Sequence, residues 1–183
     1  KVKNCNIEKY DAIIAGVENY DEKILSKAKK LKLISRVGIG IDSINLDFCK
    51  NKGIKVLKVK SPNEAVAEYS IAAIISSLRC FSTMNHDLHR GKWNPVLGKS
   101  LSESTVGIVG YGKIGKLISK YLLALNVNKI LVHDIKNFKK TNKIVFCSKK
   151  TIFERSDIIS LNISLNQKTQ NFLSFREINL IKK

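Results

Sequence analysis

Gly110, Gly112 and Gly115 stand in a Gly-x-Gly-x-x-Gly spacing, and an acid, Asp134, follows about 20 residues beyond the third glycine. Glycines so spaced bring bare backbone up to a phosphate. The first permits a tight turn, the second lets the main chain approach a pyrophosphate, and the third lets a helix pack closely on a strand. Lys113 and Ile114 fall where that helix would begin. Their N–H groups have no intrahelical acceptor, and the partial positive charge of a helix start favours phosphate oxygens. The carboxylate of Asp134 can accept hydrogen bonds from a ribose diol, and it repels a 2′-phosphate. The pattern therefore predicts NAD in preference to NADP, with Lys136, Lys139 and Lys140 just beyond the acid softening the discrimination.

Such a loop works only if a strand delivers it and a helix receives it. An apolar strand is expected over Val106 to Val109, a helix over Ile114 to Leu125, and a second strand over Lys129 to His133 that ends at the acid. That agreement separates this run from a chance cluster of glycines. The first sixty residues alternate short apolar strands (Ala12 to Ala15, Lys32 to Val37, Ile54 to Val59) with polar helices, which is an α/β pattern. Asp21 can cap the first of these helices, and Gly53 marks the end of one starting near Leu46. Ser61 and Pro62 interrupt the pattern, so a domain boundary is expected near residue 60. Glu64 to Arg90 then reads as one long helix with a small, apolar face through Ala67, Ile71, Ala72, Ile75 and Leu78. A loop through Gly91, Trp93, Pro95 and Gly98 leads to the glycine motif. Ile158 to Asn162 is the third strand of that set, with Asp157 at its start, and Ser174 to Lys183 reads as helix.

Length and composition bound the functions. The chain has 183 residues and 44% hydrophobic content, enough to bury a core, and no apolar stretch approaches the ~20 residues that span a bilayer. The start does not read as a signal peptide. Cys5, Cys49, Cys80 and Cys147 are too scattered for a zinc or redox motif, so reduced thiols in the cytoplasm, and no metal, are expected. A net charge of +18 invites a nucleic-acid reading. Only Arg36, Arg79, Arg90, Arg155 and Arg176 carry guanidinium groups, however, and the lysines are spread along the chain without interleaved aromatics. Specific nucleic-acid binding is not expected; a basic surface drawing small anions is.

Taken together, four blocks resemble the D-isomer-specific 2-hydroxyacid dehydrogenases, the family that includes D-3-phosphoglycerate dehydrogenase. They are LKLISRVGIGIDSINLD (31–47), NEAVAEYSIAAIISSLR (63–79), GKWNPVLGKSLSESTVGIVGYGKIG (91–115) and SDIISLNISLNQKTQNFLSFREINLIKK (156–183). The resemblance implies an α/β chain in which residues 1–60 are part of a flavodoxin-like substrate domain and residues 61–183 a Rossmann-type NAD-binding domain, truncated at its C-terminal side. It implies that Gly38, Ile39 and Gly40 offer backbone amides to a substrate carboxylate; a tight turn between strand and helix is the plain alternative. It also places Lys113, Ile114 and Asp134 on cofactor positions. Asn162 and Ser164 depart from the His-x-Pro the family has beside the cofactor.

The implied reaction is NAD-dependent hydride transfer between a D-2-hydroxy acid and its 2-keto acid, in a homodimer paired through the NAD domain. The family's arginine, glutamate and histidine are expected beyond Lys183, so no catalytic residue is assigned within the chain and these residues alone are not expected to turn over substrate. The alternative is an NAD-binding regulatory or remnant module without turnover. His86 and His89 read as helix-surface residues and His133 as structural, while Trp93 is open to a subunit contact or to core packing.

Overall fold

In the computed structural model, residues 6–38, 40–59, 62–136 and 141–182 are described; Ile39, Lys60, Ser61, Lys139 and Lys140 lie outside them. The chain divides into two units. One comprises Lys1–Ser61 with Ser164–Lys168, the other Pro62–Ile163 with Thr169–Lys183.

In the first unit, β1 (Ala12–Ala15), β2 (Leu33–Arg36) and β3 (Lys55–Lys58) form a parallel sheet in the order β1-β2-β3. Helices α1 (Glu22–Leu25) and α2 (Leu46–Asn51) connect them. Each helix begins at a short polar side chain that takes up an orphan amide. Asp21 accepts the Ile24 N–H at 2.9 Å and Asn45 the Phe48 N–H at 3.0 Å. Gly53, with φ of +68°, reverses the chain after α2. Ala15, Leu25, Ile34, Ile44, Cys49 and Ile54 close the core. The first of the expected helices, capped by Asp21, is confined to the single turn of α1 and is followed by turns.

The second unit carries α3 (Asn63–Leu78), α4 (Phe81–His89), β4 (Thr105–Val109), α5 (Lys113–Ala124), β5 (Lys129–His133), β6 (Ile144–Phe146), α6 (Lys149–Arg155), β7 (Ile158–Leu161) and α7 (Phe175–Ile178). Its sheet is parallel, in the order β6-β5-β4-β7. Strand order therefore reverses at β4, and the loop leaving the carboxyl end of such a strand is where α/β sheets bind ligands. Alternation along the strands sends Val106, Ile108, Ile130 and Val132 to one face, where Ile118 and Leu122 of α5 and Ala67 and Ile74 of α3 cover them. Val109 and Leu131 face Ile152 and Phe153 of α6 on the other. Ile118, Leu122, Ile130 and Ile152 are fully buried, each stabilising the fold by about 1.5–3 kcal/mol.

Two expectations are corrected here. The long helix is two: Cys80 takes the left-handed conformation at φ of 53° and separates α3 from α4. The break coincides with the returning loop, whose Lys99 N–H donates to the Leu78 carbonyl at 2.7 Å. Gly98 makes the approach possible, since a Cβ there would lie 2.5 Å from the Leu78 oxygen. The packed seam of α3 also runs through Ala67, Ile71, Ile74 and Leu78, whereas Ala72 and Ile75 face solvent. The second correction is β6 and α6, an additional strand and helix between β5 and β7. Their signals were an apolar run ahead of Ser148, which caps α6 by accepting the Thr151 N–H at 3.1 Å.

Candidate functional site

The glycine loop is fastened between two strand ends. Gly110 N–H donates to the His133 carbonyl at 2.8 Å, and Asn162 N–H to the Val109 carbonyl at 2.7 Å, so the ends of β5, β4 and β7 are drawn together under the loop. Gly110 has φ of +90°, and a Cβ on it would stand 2.6 Å from the Asn162 carbonyl oxygen. A Cβ on Gly115 would collide with the Gly110 carbonyl oxygen and press on Ile108. The fold itself thus demands glycine at these two places. At Gly112 it does not: nothing lies within 4 Å of the Cβ position. The open side of the middle glycine is the face on which a bound group can approach bare backbone.

Helix α5 starts at Gly112, which supplies no side-chain cap, and its first turn holds no acid. Lys113 and Ile114 lie in that first turn, where amides lack intrahelical acceptors and the helix field is positive. An anion of phosphate type fits this donor set.

Asp134 stands at the end of β5 beside the loop. Its Oδ2 accepts the Tyr111 N–H at 2.6 Å and its Oδ1 the Lys136 N–H at 2.8 Å. The Tyr111 ring meets Phe146 edge-on at 5.3 Å, with the Lys116 ammonium 5.9 Å from its centroid. Gly110, Gly112, Lys113, Ile114, Gly115 and Asp134 are therefore brought into one cluster by β4, α5 and β5. The Tyr111–Asp134 bond was not anticipated, because the sequence shows spacing but not which donors a side chain meets.

Gly38 and Gly40 belong to the other unit and follow β2, with Gly38 at φ of +127°; Ile39 lies outside the described residues. Arg36 donates to the Val37 carbonyl and reaches the Ala15 carbonyl at 3.5 Å, bracing the ends of β1 and β2 below that turn.

The histidines have other employment. His133 Nδ1 lies 3.1 Å from the Cys147 carbonyl, with its ring against Phe172, and His89 Nδ1 lies 2.9 Å from the Asn85 carbonyl on the exposed surface of α4. His86 is exposed on the same helix. Among the described residues, no group of three or more His, Cys, Asp or Glu side chains could hold a metal ion, and no helix is long and apolar enough to cross a membrane. At Asn162 the side-chain amide donates to Ser160 within the chain's own turn.

A parallel sheet with a glycine-rich turn at its switch point defines a dinucleotide-binding α/β class. Residues 71–183 match the family described as D-isomer specific 2-hydroxyacid dehydrogenase, NAD binding domain, and the chain belongs to that family. A hydroxypyruvate reductase of Thermotoga maritima is 32% identical over 173 residues, 93% of this chain and 56% of the relative. A D-lactate dehydrogenase from Aquifex aeolicus, complexed with NAD and lactic acid, superposes with a TM-score of 0.81 at 29% identity, over 96% of this chain and 55% of the other. An NAD-dependent formate dehydrogenase from Staphylococcus aureus in complex with NAD gives 0.86 at 26% identity, over 97% and 56%. The chain thus spans a little over half the length of each of these relatives.

Proposed function

We propose that the second unit binds NAD, with the pyrophosphate over Gly112 and the amides of Lys113 and Ile114, and the adenosine ribose diol on Asp134. The observation that carries this reading is the open side of Gly112, in a loop whose other two glycines answer to the protein's own packing. A dinucleotide is the group that uses both the helix start and an acid at the next strand end. When bound, the nicotinamide supplies hydride transfer; the residues here bind and orient it.

The reaction we propose is that of the family: oxidoreduction of a D-2-hydroxy acid and its 2-keto acid. Gly38, Ile39 and Gly40 offer amides to the carboxylate from the end of β2, in a first unit read as part of the substrate domain. The relatives include enzymes named for hydroxypyruvate, glyoxylate, lactate and phosphoglycerate, so the substrate class is a small 2-hydroxy or 2-keto acid. Free thiols at Cys49, Cys80 and Cys147 suit a reducing, cytoplasmic setting, and burial pushes Cys49 and Cys147 up, away from reactivity.

Calorimetric titration with NADH and NADPH tests the cofactor reading. The expected result is saturable binding of NADH, with NADPH weaker by about tenfold or more, since a 2′-phosphate meets the Asp134 carboxylate at ~1.4 kcal/mol per tenfold. Equal or tighter binding of NADPH overturns the preference, and binding of neither overturns the site.

A further inference from the structure

We propose that Asp134 is also a positioning residue, a latch that holds the glycine loop in its binding shape before any ligand arrives; this rests on the reading of that loop as the dinucleotide site. Two consecutive amides of the loop are tied to two consecutive residues at the end of β5. Gly110 N–H donates to the His133 carbonyl at 2.8 Å, and Tyr111 N–H to the Asp134 carboxylate at 2.6 Å. The opposite carboxylate oxygen accepts Lys136 N–H at 2.8 Å, which fixes the direction of the side chain. Tyr111 lies between two glycines, the residues that lose most conformational freedom on ordering, so this segment needs an external anchor. Hydrogen bonds to an ionised acceptor are about twice as strong as neutral ones, and this bond has that character.

The chemistry requires a carboxylate. It has two acceptor oxygens and about four lone-pair sites, so it can take an amide on each oxygen and still accept ribose hydroxyls. Asparagine would turn one end into a donor facing an N–H, and alanine would leave both amides without this partner. Cofactor choice and loop geometry therefore hang on one side chain, and a change meant only to admit a 2′-phosphate also loosens the loop that holds the pyrophosphate.

The test uses ADP and its 2′,3′-dideoxy analogue, which keeps the pyrophosphate and lacks the diol. Asp134→Ala is expected to weaken the dideoxy analogue about tenfold, with ADP weakened further and Asp134→Asn in between. The thermal midpoint is read alongside, so that lost affinity is compared between folded proteins. Unchanged affinity for the dideoxy analogue, with ADP alone weakened, overturns the latch. Hydrogen exchange at the Tyr111 amide of the ligand-free, unsubstituted protein decides independently: protection supports the latch and exchange at the open-chain rate overturns it. That readout stands even if a variant does not fold. It also stands if the unsubstituted protein binds neither ADP nor its analogue, which would sink the cofactor reading alone.

Discussion

At the residue scale, the three glycines of one motif answer to different physics, and substitution should separate them. Gly110→Ala puts a side chain at φ of +90° and against the Asn162 carbonyl, costing at least about 1–2 kcal/mol in strain before the clash is counted. Gly115→Ala meets the Gly110 carbonyl and should destabilise as well. Gly112→Ala has room in the protein and should leave the denaturation midpoint nearly unchanged while weakening NADH by about tenfold or more, because its methyl group occupies the approach to backbone. Chemical denaturation with parallel titration of NADH checks this. A Gly112→Ala variant that binds normally would remove the main support for the site. The spacing of the motif was legible in the sequence because glycine and acid are chemically distinctive; the donor that Asp134 holds was not, since that depends on where β5 brings it.

At the element scale, two carboxylates tie elements of the second unit together, Asp157 at the start of two strands and Glu177 between two helices. Asp157, ahead of β7, accepts the Thr105 N–H at the start of β4 at 2.7 Å, and the ammonium groups of Lys99 and Lys182 lie 3.0 Å from its other oxygen. Burial by itself raises this carboxyl, but the Thr105 amide and then the two lysines outweigh it and hold it below the usual range. Glu177 closes a capping box with Ser174 on α7 and pairs with Lys149 of α6 at 2.9 Å; the lysine, with Ser174, brings it down to about 2. Both groups are depressed in the folded state, so both bind protons more weakly there than in the unfolded chain. Their contribution is present above the unfolded carboxylate range, near pH ~4, and is lost as pH falls towards the folded values. The thermal midpoint should be level above pH ~5 and fall below it. The difference between the unsubstituted protein and Glu177→Gln should shrink as pH falls below about 4 and vanish only as it passes below the folded value of about 2. A difference that does not shrink at all between pH ~5 and pH ~2 would mean Glu177 acts through packing and not through charge. Strands β1, β4, β5 and β7 were readable from apolar runs, whereas β6, three residues long, and the break after α3 arise from pairing with β5 and from the returning loop.

At the scale of the whole molecule, the apolar surface of the second unit bears on assembly. Tyr69 is 78% exposed, Phe81 61%, Trp93 82% and Leu97 101%, so core packing is not the role of Trp93. The same unit has an open groove of about 510 Å³ lined by Glu68, Ile71, Ala72, Tyr121, Ala124 and Leu125. Large exposed apolar side chains are the kind of surface that partners cover, and we propose that this unit carries the homodimer contact that the family resemblance implies. Sedimentation should show a dimer that Trp93→Glu with Leu97→Glu shifts to monomer, without loss of the helical signal. A monomer at all concentrations would exclude it. What the sequence alone determined is the class of the chain: periodicity sets strands and helices, glycine and acid spacing sets the kind of ligand, and both are local properties of residue type. What only the tertiary structure decided is which partners these residues meet: Asp134 with Tyr111, Leu78 with Lys99, Asp157 with Thr105. Those contacts join parts of the chain up to tens of residues apart, and a sequence pattern carries no record of which distant donor a given acceptor will face once the sheet has closed.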